Sequence, residues 1–276
     1  MAEIVREARL GKPGQVALGG LALGGLAWIS LGLTLPLPSQ GGLRVAGDLL
    51  TASLRPALDY QSAPPGGASI GFVERLGQST LLTLAYALAA SLLAVPLGLA
   101  LGCLASEALR EHTGSARALR RMAVLTALGL RSVHSLLWAV LLLVALGLGP
   151  GTAIAALLLP LVGTLGKVFA ELIDESDPRG ASGLAAAGAR PLAVFLFGRI
   201  PAALPNLVGF AFYRFECTVR TAAVLGFFGF PTLGYHLQAA FEESHYHEVW
   251  TYLYALIALS LLLEAWSAAL RWRVSA

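Results

Sequence analysis

Apolar residues run along this chain in blocks of about twenty or more, separated by polar or charged intervals. The blocks are Val16–Leu37, the stretch from Ser79 and Thr80 to about Ser106, Met122–Gly149, Thr152–Ile173, Ala202–Phe228 and Val249–Leu270. Each is long enough to cross a hydrocarbon layer of ~30 Å as a helix. Ser79 and Thr80 offer hydroxyls that can cap the second helix, and Pro96 inside it is tolerated better in lipid than in water. The third block is interrupted by Arg131-Ser132-Val133-His134, and Gly147-Leu148-Gly149-Pro150-Gly151 is a tight turn before the fourth. The pattern predicts an all-α integral membrane protein with six transmembrane helices.

Composition agrees. Hydrophobic residues make up 57% of the 276 and charged residues 13%, about half the usual ~25% of soluble domains, so the chain cannot cover a surface in water. The first block follows a head with Arg6, Arg9 and Lys12, the order of a signal peptide. Its length, and the lack of a small-residue cleavage site directly after it, favour a retained span. Cys103 and Cys217 cannot build a disulfide framework and are read as packing residues. A net charge of +3 gives no reason to expect nucleic acid.

Charge distribution predicts orientation. Twelve of the nineteen basic residues fall in the head, in 107–121, in 174–201 and in the tail, against three in the opposite intervals 38–75, 147–151 and 229–248. Both termini are then cytoplasmic in a multi-pass protein of the inner (cytoplasmic) membrane. Residues 1–75 would form the head, first span and outer loop, 76–270 the transmembrane domain, and 271–276 a cytoplasmic tail.

Charges at membrane depth need an account, because hydrocarbon makes them costly. Arg214, Glu216 and Arg220 lie in the fifth block. Glu216 and Arg220 are spaced to pair, and Arg214 has no local partner. Either the three join helices together, or Arg214 with Arg220 lines a path for an anion, where a guanidinium fork suits phosphate-like oxygens. Arg131 and His134 are read as an interfacial anchor or helix break, or as a gate contact, and Lys167 with Glu171 as a structural pair. Gly226-Phe227-Phe228-Gly229-Phe230-Pro231-Thr232-Leu233-Gly234 is too apolar for a loop and too glycine-rich for a helix. It is expected as a re-entrant segment near an outer gate. Glu242–Glu248 holds three acids and two histidines, but its spacing suits an outer loop rather than a metal site.

The interval 174–201 is far longer than a turn between spans requires. Asp177-Pro178 reads as a helix start. Ser182-Gly183-Leu184-Ala185-Ala186-Ala187-Gly188-Ala189 makes a short helix with a smooth surface, ended by Gly188, and Pro191 starts a helix that returns to the bilayer through Pro201.

This loop resembles that of importer permeases of the ATP-binding-cassette (ABC) class, which reads Glu-Ala-Ala, three residues, Gly, nine residues, Ile-x-Leu-Pro. Gly188 takes the glycine position, and Gly198, Ile200 and Pro201 take the last three; Ser182 stands where the family has glutamate. Five further stretches resemble the permease of phosphonate importers: Arg131-Ser132-Val133 with Leu136-Leu137-Trp138-Ala139, Gly147-Leu148-Gly149-Pro150, Gly166-Lys167-Val168-Phe169, Asp177-Pro178, and Tyr213-Arg214-Phe215-Glu216 with Val219-Arg220 and Ala222. His134 replaces the family's proline in Arg-Ser-x-Pro. The likeness covers about residues 70–270. It implies a type I importer permease of the MetI-like fold that pairs as a homodimer or with a second permease. Residues 178–190, including Ser182, Gly183, Ala186 and Ala189, would dock on a cytoplasmic ATPase dimer. A periplasmic or lipid-anchored binding protein would deliver a phosphonate or a related phosphorus oxyanion, moved by alternating access. The chain has no Gly-x-x-x-x-Gly-Lys-Ser/Thr loop, so ATP and magnesium would belong to the partner ATPase and no cofactor to this chain. The competing classes are a proton-coupled transporter using Glu216 and an intramembrane lipid-phosphate enzyme.

Overall fold

The computed structural model describes residues 12–30, 40–61, 70–109 and 117–275. Arg6 and Arg9 of the head, residues 31–37 of the first block and residues 62–67 of the outer interval lie outside the described residues. The chain forms two units, Met1–Asp48 and Leu49–Ala276. The first contains α1 (Lys12–Ser30), and α2 (Gln40–Ala52) runs through the division.

The second unit is all helix among the described residues. α3 spans Phe72–Ala105, α4 Arg117–Ser132, α5 Ser135–Leu146 and α6 Pro150–Asp174. A short α7 (Arg179–Ala186) precedes α8 (Pro191–Val194), which continues through a π-turn, Phe195–Arg199, into α9 (Ile200–Val224). A 3-10 turn, Leu225–Phe228, leads to α10 (Leu233–Glu242) and then α11 (Tyr246–Ser275). Four helical runs are long and apolar enough to cross a membrane: Phe72–Ala105, Pro150–Asp174, Pro191–Phe228 and Tyr246–Ala269. α4 and α5 make a fifth, bent by 87°. Blocks two to six of the sequence are therefore spans. The first block corresponds in part to α1, of 19 residues.

The core is a seam between α3 and α6, whose facing surfaces are built from small side chains. Lipid tails are as apolar as leucine, so helices in a bilayer associate by close fit, and small residues permit it. On α3 the buried positions Ala87, Ala90, Ala94, Gly98, Gly102 and Ala105 recur every three or four residues along one face. A Cβ at Gly98 would meet Leu165 Cβ at 2.6 Å, and one at Gly102 would meet Phe169 Cβ at 2.8 Å. Leu165, Phe169 and Ile173 of α6 are fully enclosed there.

Ser79 and Thr80 do not cap α3. The helix starts at Phe72, and both hydroxyls donate back to Leu76 O, at 3.0 and 2.7 Å. In an apolar segment that bond satisfies the hydroxyl where no water competes.

The glycine-rich segment 226–234 is folded into the protein. After the 3-10 turn, Gly229 takes the left-handed conformation (φ 90°), which glycine adopts without strain. Phe230 is buried and Pro231 exposed. Thr83 Oγ1 accepts from Leu233 N at 3.0 Å, tying the segment to α3. The turn places α10 directly on the end of α9. A Cβ on Gly234 would stand 2.0 Å from Ala223 O, and one on Gly226 2.1 Å from Tyr235 N.

Gly234→Ala should therefore cost about 2–3 kcal/mol by overpacking, lowering Tm in detergent by roughly 5–10 °C. Gly71→Ala, with nothing within 4 Å of its Cβ, should leave it unchanged.

Candidate functional site

The break between α4 and α5 is made by His134. Its backbone is extended (φ −65°, ψ 147°), and its Nδ1 accepts from Leu136 N at 3.3 Å, so the imidazole caps α5. Trp138 Nε1 reaches back to Leu130 O at 3.2 Å, occupying a carbonyl at the end of α4. Histidine thus ends one helix and starts the next by hydrogen bonding, at the position where the resembling family has proline. The sharp bend turns Arg131 and His134 toward α6 and α9.

Between these elements lies an open cleft of about 270 Å³. Its polar lining is Arg131, His134 and Ser135 at the break, Thr164 from α6, and Arg214, Thr218 and Thr221 from α9. Two residues expected at a gate and one expected on an anion path therefore share one cavity. Arg214 is half-buried. Its Nε is buried with no hydrogen-bond partner among the described residues, and an orphaned guanidinium nitrogen there is costly unless something joins it. No carboxylate lines the cleft among the described residues. An anion fits that charge balance.

The other predicted residues are dispersed. Glu216 is buried, whereas Arg220 is exposed with an Nη 3.6 Å from Cys217 Sγ. Gly229 touches Leu148 of the turn after α5 through the space where its Cβ would sit. Lys167 and Glu171 form the expected pair on α6. The threonines were missed. Their signal was two hydroxyl residues, Thr218 and Thr221, one helical turn apart and just past a buried arginine in an otherwise apolar block.

The interval 174–201 is closely tied down. Asp174 accepts from Ser106 Oγ (2.5 Å), Ala108 N (2.9 Å) and Glu107 N (3.0 Å), joining the end of α3 to the end of α6. Asp177 accepts from Arg179 N at 2.9 Å, the capping bond expected from the sequence. That bond, with the Arg179 guanidinium beside it, holds the Asp177 carboxyl below its usual value. Its contribution is complete above the ordinary carboxylate range and fades only as pH falls through the lowered value. Ser182 Oγ returns to Pro178 O and Arg179 O.

α7 ends at a left-handed Gly188 (φ 78°), with Gly188 N bonded to Ala185 O and Ala189 N to Leu184 O, the paired closure of a helix end. Ala181 is buried against Gly198, where a Cβ would stand 2.7 Å from Ala181 Cα. Arg199 Nη1 donates to Ser176 O at 2.8 Å. The outward side of α7 presents Ser182, Gly183, Ala185 and Ala186, all exposed and small. The π-turn at 195–199, where Ile200 N bonds Phe195 O, stands beside Pro201, which has no N–H to continue the α ladder.

At the opposite end, Glu242–Glu248 is not a free loop. α11 already begins at Tyr246, and its first turns grip residues 49–61. His247 Nδ1 lies 2.7 Å from Arg55 O, Trp250 Nε1 donates to Leu49 O (2.6 Å) and Thr251 Oγ1 to Ala57 O (2.7 Å). Tyr254 donates to Ser53 O at 2.9 Å, and buried Glu248 accepts from Gln61 N.

Residues 94–275 match the family described as the inner membrane component of binding-protein-dependent transport systems. The chain belongs to that family. Among relatives, the permease is 32% identical over 192 residues to the phosphite transport system permease protein PtxC of Stutzerimonas stutzeri, covering 68% of this chain and 67% of that one. It is 28% identical to the phosphate-import permease protein PhnE of Mycolicibacterium smegmatis, over 70% of this chain and 35% of the relative. The matched region spans about half the length of two further phosphite-system permeases. A chain of the methionine ABC transporter MetNI, crystallised in inward-facing conformations, superposes with TM-score 0.64 at 22% identity over 72% of the permease and 96% of that chain. An amino acid ABC transporter chain gives TM-score 0.63 at 15% identity, over 73% and 95%. The permease is thus a multi-pass inner-membrane subunit of the MetI-like importer fold. By family it is a transport component rather than an enzyme.

Removing the Asp174 carboxylate from the permease should free three donors at the end of α3. Asp174→Ala is expected to cost about 2–4 kcal/mol. It should also expose 106–120 to limited proteolysis at protease concentrations that leave the parent intact.

Proposed function

We propose that this permease moves a phosphorus oxyanion (phosphonate, phosphite, hypophosphite or phosphate) into the cytoplasm as the transmembrane subunit of an ATP-driven importer. The observation that carries the reading is the cleft with Arg131 and Arg214 on its walls, a basic lining without a carboxylate. The names of the phosphite and phosphate-import relatives point to the same anion class. Two permeases, identical or different, enclose the path, and Arg214 meets the anion in transit, with Glu216 and Arg220 supporting α9 around it. The segment 226–231 and the α4–α5 break act as gates on either side.

Residues 178–190 are the docking element for the cytoplasmic ATPase dimer. Support comes from the firm anchoring of this element by Asp177, Gly188, Gly198 and Arg199, combined with an outer face small enough for close approach. Such an element transmits a push because it cannot yield locally. The bias of basic residues puts it, and both termini, on the cytoplasmic side. ATP with magnesium is held in the ATPase. A periplasmic or lipid-anchored binding protein delivers the anion at the face formed by 49–61 and 242–248.

In reconstituted vesicles with ATPase and binding protein, uptake of radiolabelled phosphite should require internal ATP and survive a proton uncoupler; the reverse dependence would sink the reading. Arg214→Ala should reduce uptake about ten-fold or more at unchanged membrane insertion, the loss of a charge-assisted contact. Gly183→Trp, on the open face of α7, should abolish the stimulation of ATPase activity by permease while leaving anion binding intact.

A further inference from the structure

The three threonine hydroxyls of the cleft are not free to donate. Thr164 Oγ1 gives its proton to Pro160 O at 2.9 Å, Thr218 Oγ1 to Arg214 O at 2.7 Å and Thr221 Oγ1 to Cys217 O at 3.0 Å. A threonine hydroxyl has one proton and two lone pairs. With the proton committed to its own helix, each presents only lone pairs to the cavity. Turning one outward to donate would break that bond.

The donors are the guanidinium groups of Arg131 and Arg214, the latter with its Nε unmatched, with the Ser135 hydroxyl and the His134 ring beside them. The three threonines are the acceptors that a bound anion must face. A tetrahedral oxyanion with no proton offers acceptors alone. It satisfies the arginines but sets its lone pairs against those of the three threonines. An oxyanion that keeps one hydroxyl satisfies both sets at once. Because no carboxylate lines the cleft among the described residues, an ammonium group would find only neutral acceptors beside two like charges, so the donor the cleft suits is P–O–H.

We infer that the cleft selects a hydrogen-bearing oxyanion over a fully deprotonated one of the same charge, with Thr164, Thr218 and Thr221 as the residues that recognise its hydroxyl. The inference rests on the cleft being the anion's path, and the experiment separates the two. Cys217 also lines the cleft, and Cys103 is the other free cysteine. In a Cys103→Ser background the rate of Cys217 alkylation by a small maleimide reports occupancy of the cavity. The assay is run on the detergent-solubilised permease–ATPase complex, where both sides are open to solvent.

The probes are inorganic phosphate and sulfate at mildly alkaline pH, where phosphate is mainly the hydrogen-phosphate dianion. Both are tetrahedral and doubly charged, but only phosphate keeps a proton. Phosphate should protect Cys217 at concentrations about ten-fold below those of sulfate. Thr218→Val combined with Thr221→Val should remove most of that advantage without weakening protection by sulfate, and the corresponding serine variants should restore it. Equal protection by the two anions in the parent protein overturns the proton-selective reading and leaves the anion path standing. Protection by neither overturns both. The parent comparison requires only the Cys103→Ser background to fold.

Discussion

Close contact between α3 and α6 governs the rest of the molecule. Neither helix gains anything from leaving lipid for another apolar surface, so attraction must come from fit, and fit comes from the row Ala87, Ala90, Ala94, Gly98, Gly102 and Ala105. α6, once seated, touches α3, α4, α5 and α9. It carries Thr164 into the cleft and Asp174 to the loop that follows α3. The small residues therefore have a double role. They bring the backbones near, and they place two polar side chains, one near the middle of α6 and one at its end, where each has its task.

The polar residues of this chain divide by what they bond. Asp174, Asp177 and Arg199 serve backbone groups at helix ends, where N–H and C=O groups lack intrahelical partners. Arg120 does so as well, with its Nε on Ala105 O and its Nη on Glu107. His247, Trp250, Thr251 and Tyr254 serve carbonyls at the end of α2 and in the irregular stretch that follows it. Arg214 shares a buried, unbonded Nε with Arg199, but Arg199 spends its Nη1 on Ser176 O whereas Arg214 lines the cleft. In a chain with so few charges, an arginine that structural duties do not consume is informative.

Much of this was legible in the sequence and some of it could not be. Blocks two to six announced themselves because burial in lipid leaves a run of about twenty apolar residues, and Arg131–His134 marked the break because polar residues interrupt such a run. Asp177-Pro178 and Gly188 marked α7 because capping is local chemistry. Ser79 and Thr80 misled for a related reason: the hydroxyl that caps a helix in water also bonds the preceding turn inside one, and only the apolar surroundings decide. α10 went unread because glycines at 226, 229 and 234 look like breakers. Two of them are instead sites of close approach, which depends on what lies across from them. The meeting of Arg131, His134 and Arg214 is tertiary, separated by more than eighty residues of sequence, and no spacing rule reports it. The acceptor role of the threonines likewise needs the hydroxyl geometry.

The π-turn at Phe195–Arg199 bears on all of this from a distance. An α-helix advances about 100° per residue, so a turn that holds one extra residue rotates everything after it by that amount relative to an uninterrupted ladder. Arg214 lies about 21 Å along α9 from Ile200, yet the direction in which it points was decided before the helix began. Shortening the turn by a residue would preserve every side chain of the cleft and still swing Arg214 about a quarter of the way round α9. The azimuth of Arg214 is thus encoded in the segment next to α7. A change of winding there is a means by which motion at α7 could reach the cleft as rotation rather than translation.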